Sequence, residues 1–236
     1  MANTFPTIRP SLLLNFAATK QLDPRITFTR ASGDAAYYDG KTTVKAEENL
    51  FTYSEQFDNA AWTKTNTTIT TNSTTAPDGT TTADTITASA SASGHDVRQV
   101  SSSVTGTERV CSVYVKQGTH TFIQVAFGSA ATAYANFDVT TGAGATGTVG
   151  AAATASIVDA GSGWFRCIIT TSSATASGTI LLYVISSGTA ARGESWTPLG
   201  TETMYLWGAQ IEQRSAVTAY TATTTQAITN YIPQLL

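Results

Sequence analysis

Charged side chains are scarce in this sequence. Asp, Glu, Lys and Arg make up 12% of its 236 residues, about half the usual share, and the formal net charge is −3. The 13 Lys and Arg residues are spread thinly along the chain. Because a nucleic-acid-binding protein needs a basic face that neutralises phosphates, the composition predicts no nucleic-acid partner.

Long apolar runs are absent as well. The stretch MANTFPTIRPSLLLNFAA has one short apolar run that Asn15 interrupts, and it lacks the hydrophobic region of a secretory signal. No later stretch approaches the roughly 20 consecutive apolar residues of a membrane-spanning helix. We therefore expect neither a secretory signal nor a membrane partner.

Cysteine occurs only twice, at Cys111 and Cys167, each among alternating apolar residues. Cysteine is one of the most buried residue types, so we expect two buried free thiols. A disulfide would require the two strands to be neighbours with matched Cβ directions. Two cysteines without partner histidines predict no metal site.

Histidine is equally rare and occurs at His95 and His120. His95, Asp96 and Arg98 together have the composition of a catalytic cluster. However, no G-x-S-x-G nucleophile elbow accompanies them. Without an oriented nucleophile, we interpret them as polar surface residues.

Pairs of carboxylates are the other candidate catalytic groups in the sequence. Glu47 with Glu48, or Asp78 with Asp84, would form a glycosidase pair only if the fold brought two carboxyl groups within roughly 5–10 Å. Nothing in their spacing favours this, so we expect no enzymatic activity. Asp78, Asp84 and Glu212 are also hard ligands that suit Ca²⁺, although the D-x-D-x-D-G spacing is missing. The sequence predicts no cofactor, and a structural calcium ion stays open as an alternative.

Three glycines, Gly142, Gly144 and Gly147, match the pattern G-x-G-x-x-G. A dinucleotide site also needs a helix that opens at the last glycine and a βαβ context. The sequence that follows, TVGAAATASIVDAG, contains Gly and β-branched residues and predicts no helix. We therefore interpret this stretch as a hairpin loop.

Threonine is abundant and fills roughly a fifth of the positions. Its branched side chain favours strands over helices, and no long stretch has the apolar spacing of a helix. Many short strands separated by turn signals predict an all-β sandwich or barrel. The predicted strands are Trp62–Thr70, Thr80–Ala88, Asp96–Val104, Arg109–Gln117, Thr121–Gly128, Ala133–Val139, Gly163–Thr171, Gly178–Ser186 and Glu202–Gln213.

The chain divides into an extended N-terminal arm over residues 1–46, a sandwich over residues 47–213 and a short C-terminal tail over residues 214–236. The arm has a strand-like segment, ITFTR at Ile26–Arg30, but no core of its own. Its apolar residues must therefore be buried against another surface, which makes them candidate attachment residues. They are Leu12, Leu13, Leu14, Phe16, Ile26 and Phe28.

The sequence predicts a buried position for one tryptophan, Trp207, and an exposed position for another, Trp196. Trp207 lies in TMYLWGAQIEQ, which is apolar on both faces, so we expect a core residue in a central or covered strand. Trp196 lies in the loop-like ARGESWTPLG and is the best candidate for an exposed ring that stacks on a sugar. Arg192 and Glu194 would supply hydrogen bonds to the same glycan.

Six motifs in order carry a resemblance to a known family. They are LDPRITFTRAS, ENLFTYSEQFDNAAWTKTN, TAPDGTTTADTITA, CSVYVKQG, GWFRCIIT and YLWGAQIEQ. Together they resemble the head-spike, head-fibre and minor tail proteins of tailed bacteriophages, which carry a jelly roll similar to a carbohydrate-binding module. The likeness extends from about Leu12 to Tyr220.

The resemblance implies a jelly-roll β-sandwich with a non-catalytic role in a virion that is assembled in the host cytoplasm. In that case ENLFTYSEQFDNAAWTK, which begins at Glu48, opens the fold and is not an active site. Relatives of this kind are commonly homotrimers, so the expected partners are copies of the chain and the major capsid protein or another virion protein. We expect a capsid decoration or head-fibre protein. The alternative is a glycan-binding adhesion module of a tail or neck fibre.

Overall fold

The structure is a computed structural model that describes residues 48–101 and 107–228. Within these ranges the chain forms twelve strands and no helix, arranged as two antiparallel sheets of six strands each. The arrangement is consistent with a jelly-roll sandwich, which confirms the all-β prediction. The candidate attachment residues of the arm, Leu12, Leu13, Leu14, Phe16, Ile26 and Phe28, lie outside the described residues.

The chain crosses between the two sheets several times. The first sheet has the spatial order β1 (Thr63–Thr65), β4 (Asp96–Val100), β11 (Thr179–Val184), β6 (Phe122–Phe127), β7 (Tyr134–Asp138) and β8 (Ala145–Val149). The second sheet has the order β2 (Thr67–Thr74), β3 (Ala83–Ala88), β12 (Thr203–Glu212), β5 (Arg109–Gln117), β10 (Trp164–Thr171) and β9 (Thr154–Gly161).

The chain passes from the first sheet to the second at Asn66, between β1 and β2. Asn66 has a φ of 51°, a left-handed conformation that Asn tolerates better than most residues. Its side chain donates to the hydroxyl of Ser93 and the carbonyl of Gly94, which fixes the corner. The sequence had predicted a single strand over Trp62–Thr70, and this kink divides it into two strands in different sheets.

The main core fills the space between the sheets. Alternate residues of β5 and β6 point into it, including Val113 and Val115 from one sheet and Val125 and Phe127 from the other, all of them fully buried. Such alternation is the pattern from which the strands were predicted. Cys111 and Cys167 also face this core as free thiols, as expected, and burial raises the pKa of both.

A second apolar cluster covers the outer face of the second sheet. Trp164 and Trp207 are buried there, and Tyr114 and Tyr220 pack against them. Gly208 has a φ of 60° at a bulge in β12, and an added Cβ would lie 3.1 Å from the Tyr114 ring, so a side chain there would strain the backbone and crowd the ring. The predictions that Trp207 is a core residue and that its strand is central are both confirmed.

Residues 214–228, the return segment, supply the cover for this outer cluster. The predicted tail began at residue 214, but the packed body continues to Ile228. The Tyr220 hydroxyl lies 2.7 Å from that of Ser54, and Thr221 and Thr223 are buried. Sequence periodicity did not reveal the segment because it is anchored by hydrogen bonds and not by alternating apolar residues.

The lead-in segment, residues 48–62, lies beside the return segment. Asn49 is fully buried, and its side chain makes four hydrogen bonds. Its Nδ2 donates to the carbonyls of Ala209 (2.9 Å) and Thr221 (2.8 Å), and its Oδ1 accepts from the amides of Phe51 (3.2 Å) and Ile211 (3.3 Å). One side chain thus joins the lead-in segment, β12 and the return segment.

Two strands, β8 and β9, are absent from the predicted set, and the predicted hairpin loop overlaps the first residues of β8. Their residues are mostly Ala, Gly, Thr and Ser, and β9 is largely exposed, so only Ala155 and Ile157 pack against the main core. Gly147 of the glycine pattern lies in β8 and Gly142 lies in the turn after β7, so the pattern belongs to a hairpin, as predicted.

Replacing Asn49 with Ala should lower the free energy of unfolding by about 3 kcal/mol, because two carbonyls and two amides lose a partner in the interior. Chemical denaturation monitored by tryptophan fluorescence measures the change. The control is Gln56→Ala, in the same segment but exposed, which should change stability by less than about 0.5 kcal/mol. Equal effects of the two substitutions would contradict the role of the Asn49 amide.

Candidate functional site

The stretch that begins at Glu48 builds the fold. Trp62 is buried, with its ring centroid 5.1 Å from that of Phe51 and 4.8 Å from that of Phe57, and its Nε1 donates to the carbonyl of Tyr53. Asp84 on β3 then anchors the turn by accepting from the Phe57 amide at 2.8 Å. The rings of Phe51, Phe57 and Trp62 pack against one another in the interior, so none of the three can serve as a ligand platform.

Trp196 defines the best candidate binding surface predicted from the sequence. Its backbone exchanges two hydrogen bonds with Ser93, and its Nε1 donates to the carbonyl of Val184 at 3.0 Å. The ring stacks on His120, with centroids 5.6 Å apart and planes 24° apart, and its edge meets His95 at 6.0 Å. The indole is therefore half-buried and rigidly held, and not a free ring in a loop.

Arg192 and Glu194 lie in the same loop as Trp196 but bind within the protein. An Arg192 guanidinium nitrogen donates to the carbonyl of Phe127 at 2.9 Å. The Glu194 carboxylate accepts from both the amide and the hydroxyl of Ser186, each at 2.8 Å. The three candidate glycan-binding residues thus lie in one loop, where Arg192 ties the loop to β6 and Glu194 ties it to Ser186.

The interpretation of His95 and Asp96 as surface residues is wrong. His95 is fully buried, with Trp196 packed edge-on against its ring, and Asp96 is nearly fully buried. His95 Nε2 lies 2.9 Å from the carbonyl of Ser89, so it donates its proton there, and Nδ1 has no hydrogen-bond partner. Asp96 pairs with Arg98 at 3.1 Å; burial raises the pKa of Asp96 and the guanidinium opposes that rise.

This group lacks the geometry of a catalytic triad. In a triad a carboxylate holds one imidazole nitrogen while the other nitrogen receives a proton from a nucleophile. Here Nδ1 of His95 is unbonded and Asp96 binds Arg98 instead. The nearest hydroxyl, that of Ser91, lies 3.5 Å from Nε2, which already donates to a carbonyl. The arrangement stabilises a corner of the fold.

Three carboxylates, Glu55, Asp58 and Asp84, line a cavity of about 220 Å³ together with Gln56, Thr71, Asn72 and Thr82. Burial raises the pKa of Glu55 and of Asp84. Both Asp84 oxygens accept backbone amides, from Phe57 and Asn72, and Glu55 accepts from the Tyr220 hydroxyl. Asp84 and Glu55 therefore hold the lead-in segment against β2, β3 and the return segment.

The three carboxylates considered as calcium ligands each accept hydrogen bonds from groups within the protein. Asp78 closes a turn by accepting from Thr80, Asp84 is a buried residue of β3, and Glu212 accepts from the amide and hydroxyl of Thr218. Among residues 48–101 and 107–228 no group of three or more His, Cys, Asp or Glu side chains could hold a metal ion.

A larger, open groove of about 440 Å³ lies beside the first residue of β9. Its walls are residues 151–154 and 170–173, together with Glu108 and Ser215. Backbone groups, hydroxyls and methyls form most of this lining. It carries no aromatic ring and only one ionisable side chain, so it has few groups that could orient a small molecule.

Comparison with known proteins gives no relative: no protein-family model matches the chain, and no curated protein matches it. In the part of the chain that the structure describes, no helix has the length and apolar character needed to cross a bilayer. The case for a function therefore depends on the residues themselves.

Replacing Trp196 with Ala should lower the free energy of unfolding by about 2 kcal/mol, since the indole packs on the core and on His120. Thermal or chemical unfolding measures the loss. Leu199→Ala is the matched control, three positions away and 83% exposed, and it should leave stability within about 0.5 kcal/mol. An unchanged stability for Trp196→Ala would mean that the ring is a free platform after all.

Proposed function

We propose that this protein is a non-enzymatic structural protein of a tailed-bacteriophage virion, mounted as a homotrimer that decorates the capsid. The single observation that carries the proposal is the set of six ordered motifs from LDPRITFTRAS to YLWGAQIEQ. The sandwich fold is the one that the resemblance implies for such proteins.

The role of the motif residues supports a structural function. Within ENLFTYSEQFDNAAWTKTN, Asn49 joins three segments and Trp62 fills the core under the lead-in segment. Asp84 of the third motif anchors the lead-in turn, and Trp164 and Trp207 of the last two form the outer cluster. The residues that carry the resemblance thus build and close the sandwich, as expected for a module that is inherited as a scaffold.

The surface composition is suited to assembly with copies of the chain. Much of the exposed surface of β2 and β9 is Thr, Ser and Ala, and these strands carry one charged residue between them, Asp159. A surface of low charge opposes contact with identical copies less than a surface of one charge sign would. The arm, residues 1–46, would link subunits or bind the capsid protein.

Glycan adhesion, as a module of a tail or neck fibre, is the second candidate. The observation that favours it is the partial exposure of Trp196, whose ring is fixed by His120 and by its bond to Val184. A rigid, partly exposed ring loses little entropy when a sugar stacks on it. A glycan array probed with the assembled protein tests this role, and the absence of any bound glycan would contradict it.

Quantitative mass spectrometry of virions purified from the phage that encodes the chain should find this protein in many copies per particle. A decoration protein covers a repetitive capsid surface, whereas a neck or tail protein is present in a few copies. The ratio to the major capsid protein gives the number. Absence of the protein from washed particles would refute a structural role in the virion.

Deleting residues 1–46 should abolish binding to such particles while the sandwich keeps its melting temperature within a few degrees. The cut must stop before Glu48, because the Glu48 carboxylate accepts the amide of Gln213 at 2.6 Å and Asn49 is part of the core. Co-sedimentation with particles measures binding, and circular dichroism follows folding. Retained binding by the folded truncated chain would show that the arm is not the attachment element.

A further inference from the structure

Strand β9 has an unpaired edge. It is the last strand of the second sheet and pairs only with β10. The pairing is regular from Thr154 opposite Thr170 to Asp159 opposite Phe165, and only then does a bulge interrupt it. Along this length the outer side of β9 presents backbone N–H and C=O groups that no described strand pairs.

The other sheet edges are short, irregular or covered. Strand β1 has three residues, and β2 is interrupted by a bulge between Thr70 and Thr74. Strand β8 is met by a loop, since the amide of Thr148 donates to the carbonyl of Gly188 at 2.8 Å. Among the described strands, β9 therefore offers the longest regular free edge.

Strand β9 lacks most of the features by which free sheet edges avoid pairing with another strand. Natural proteins protect free edges with Lys, Pro, bulges or inward charges. No charged residue and no Pro occurs between Asp138 and Asp159. The side chain of Val158 is 51% exposed on the face of the sheet that is turned away from the main core. Ile157, on the opposite face, is only partly buried at the margin of the core. An added strand would both satisfy the backbone and complete the burial of Ile157.

We propose that the edge of β9 accepts residues Ile26–Arg30 of a neighbouring copy as an additional strand. This inference deepens the proposed function, because it assigns a docking surface to the arm that links subunits. Main-chain hydrogen bonds would supply most of the affinity, as in other strand additions, and alternate side chains would fix the register.

The composition of the segment matches the edge. As an added strand, ITFTR would have Ile26 and Phe28 on one face, beside Ile157, and Thr27 and Thr29 on the other. It ends in Arg30, and the regular edge of β9 ends in Asp159, so charges of opposite sign are available at one end of the pair.

The reach of the chain is sufficient. The residues between Arg30 and Glu48 can span about 55 Å when extended. The amide of Gln213, just after β12, holds Glu48, and β9 lies three strands from β12, about 14 Å away in the same sheet. A linker of this length exceeds that distance about fourfold, so it would also reach the β9 edge of a subunit packed beside it. A contact of β9 with β9 would instead be isologous and close as a dimer, not as a trimer.

Intermolecular cross-linking of variants that each carry one added cysteine tests the proposal. Full-length Thr29→Cys and Val158→Cys chains, carrying different tags, are co-expressed and treated with a short bifunctional maleimide. The native Cys111 and Cys167 do not interfere, since both are buried. We expect a linked species that contains both tags, at several-fold higher yield than from Thr29→Cys paired with Val100→Cys. Val100 is the control because it is more exposed, at 68%, and lies on β4 of the other sheet.

Each other outcome overturns part of the inference. Linked species from Val158→Cys alone would mean that β9 pairs with β9 of a second copy. Cross-linking only within a chain that carries both substitutions would mean that the arm folds back on its own sandwich. Equal yields with Val158→Cys and Val100→Cys would mean that β9 is not the docking edge.

A charge at the edge gives an independent measurement. Val158→Lys should reduce the molar mass in light scattering toward that of the 24.7 kDa monomer, whereas Val100→Lys should leave it unchanged. An oligomer that survives Val158→Lys would contradict the docking edge. These assays use only the purified chain. A positive cross-link without the protein in purified virions would refute the proposed function alone. Presence of the protein in virions without the cross-link would refute this inference alone.

Discussion

The fold depends on the side-chain amide of Asn49. Its four hydrogen bonds join the lead-in segment to β12 and to the return segment, which are more than 150 residues away along the chain. In the interior, each of these partners would cost free energy if left unbonded. Because the return segment covers Trp207 and its neighbours, this one amide also keeps the outer cluster closed.

The same chemistry recurs at two other amides. Gln99 accepts from the amide of Thr52 and donates to its carbonyl, and Gln210 accepts from the amide of Thr221 and donates to the carbonyl of Ala219. A side-chain amide offers the same donor and acceptor pair as a peptide group. These glutamines therefore replace strand pairing where the chain is too irregular to join a sheet. Rigid attachment is thereby achieved without extending either sheet.

The sequence predicted the sandwich because its core strands alternate. Arg109–Gln117 was predicted with the bounds of β5, and β6 follows the expected alternation. The alternation expected for β12 is wrong, because a bulge after Trp207 leaves that ring in the outer cluster and turns Ala209 and Ile211 into the main core. Predictions failed where long-range contacts decide the outcome. His95 is buried with Trp196 of a distant loop packed against its ring, and the return segment is ordered because Asn49 and Gln210 hold it. Strands β8 and β9 were missed because small residues carry almost no periodic signal. None of these features has a local pattern in sequence.

Asn49 and Ile228 are direct neighbours, since the amide of each donates to the carbonyl of the other, at 3.0 and 2.8 Å. The two ends of the packed body therefore emerge side by side, from a single pole. A module with this geometry can be spliced into a surface loop of an unrelated host protein without stretching either junction. It can also be circularly permuted by joining these ends through a short Gly-rich linker and opening an exposed turn, such as that at Gly142.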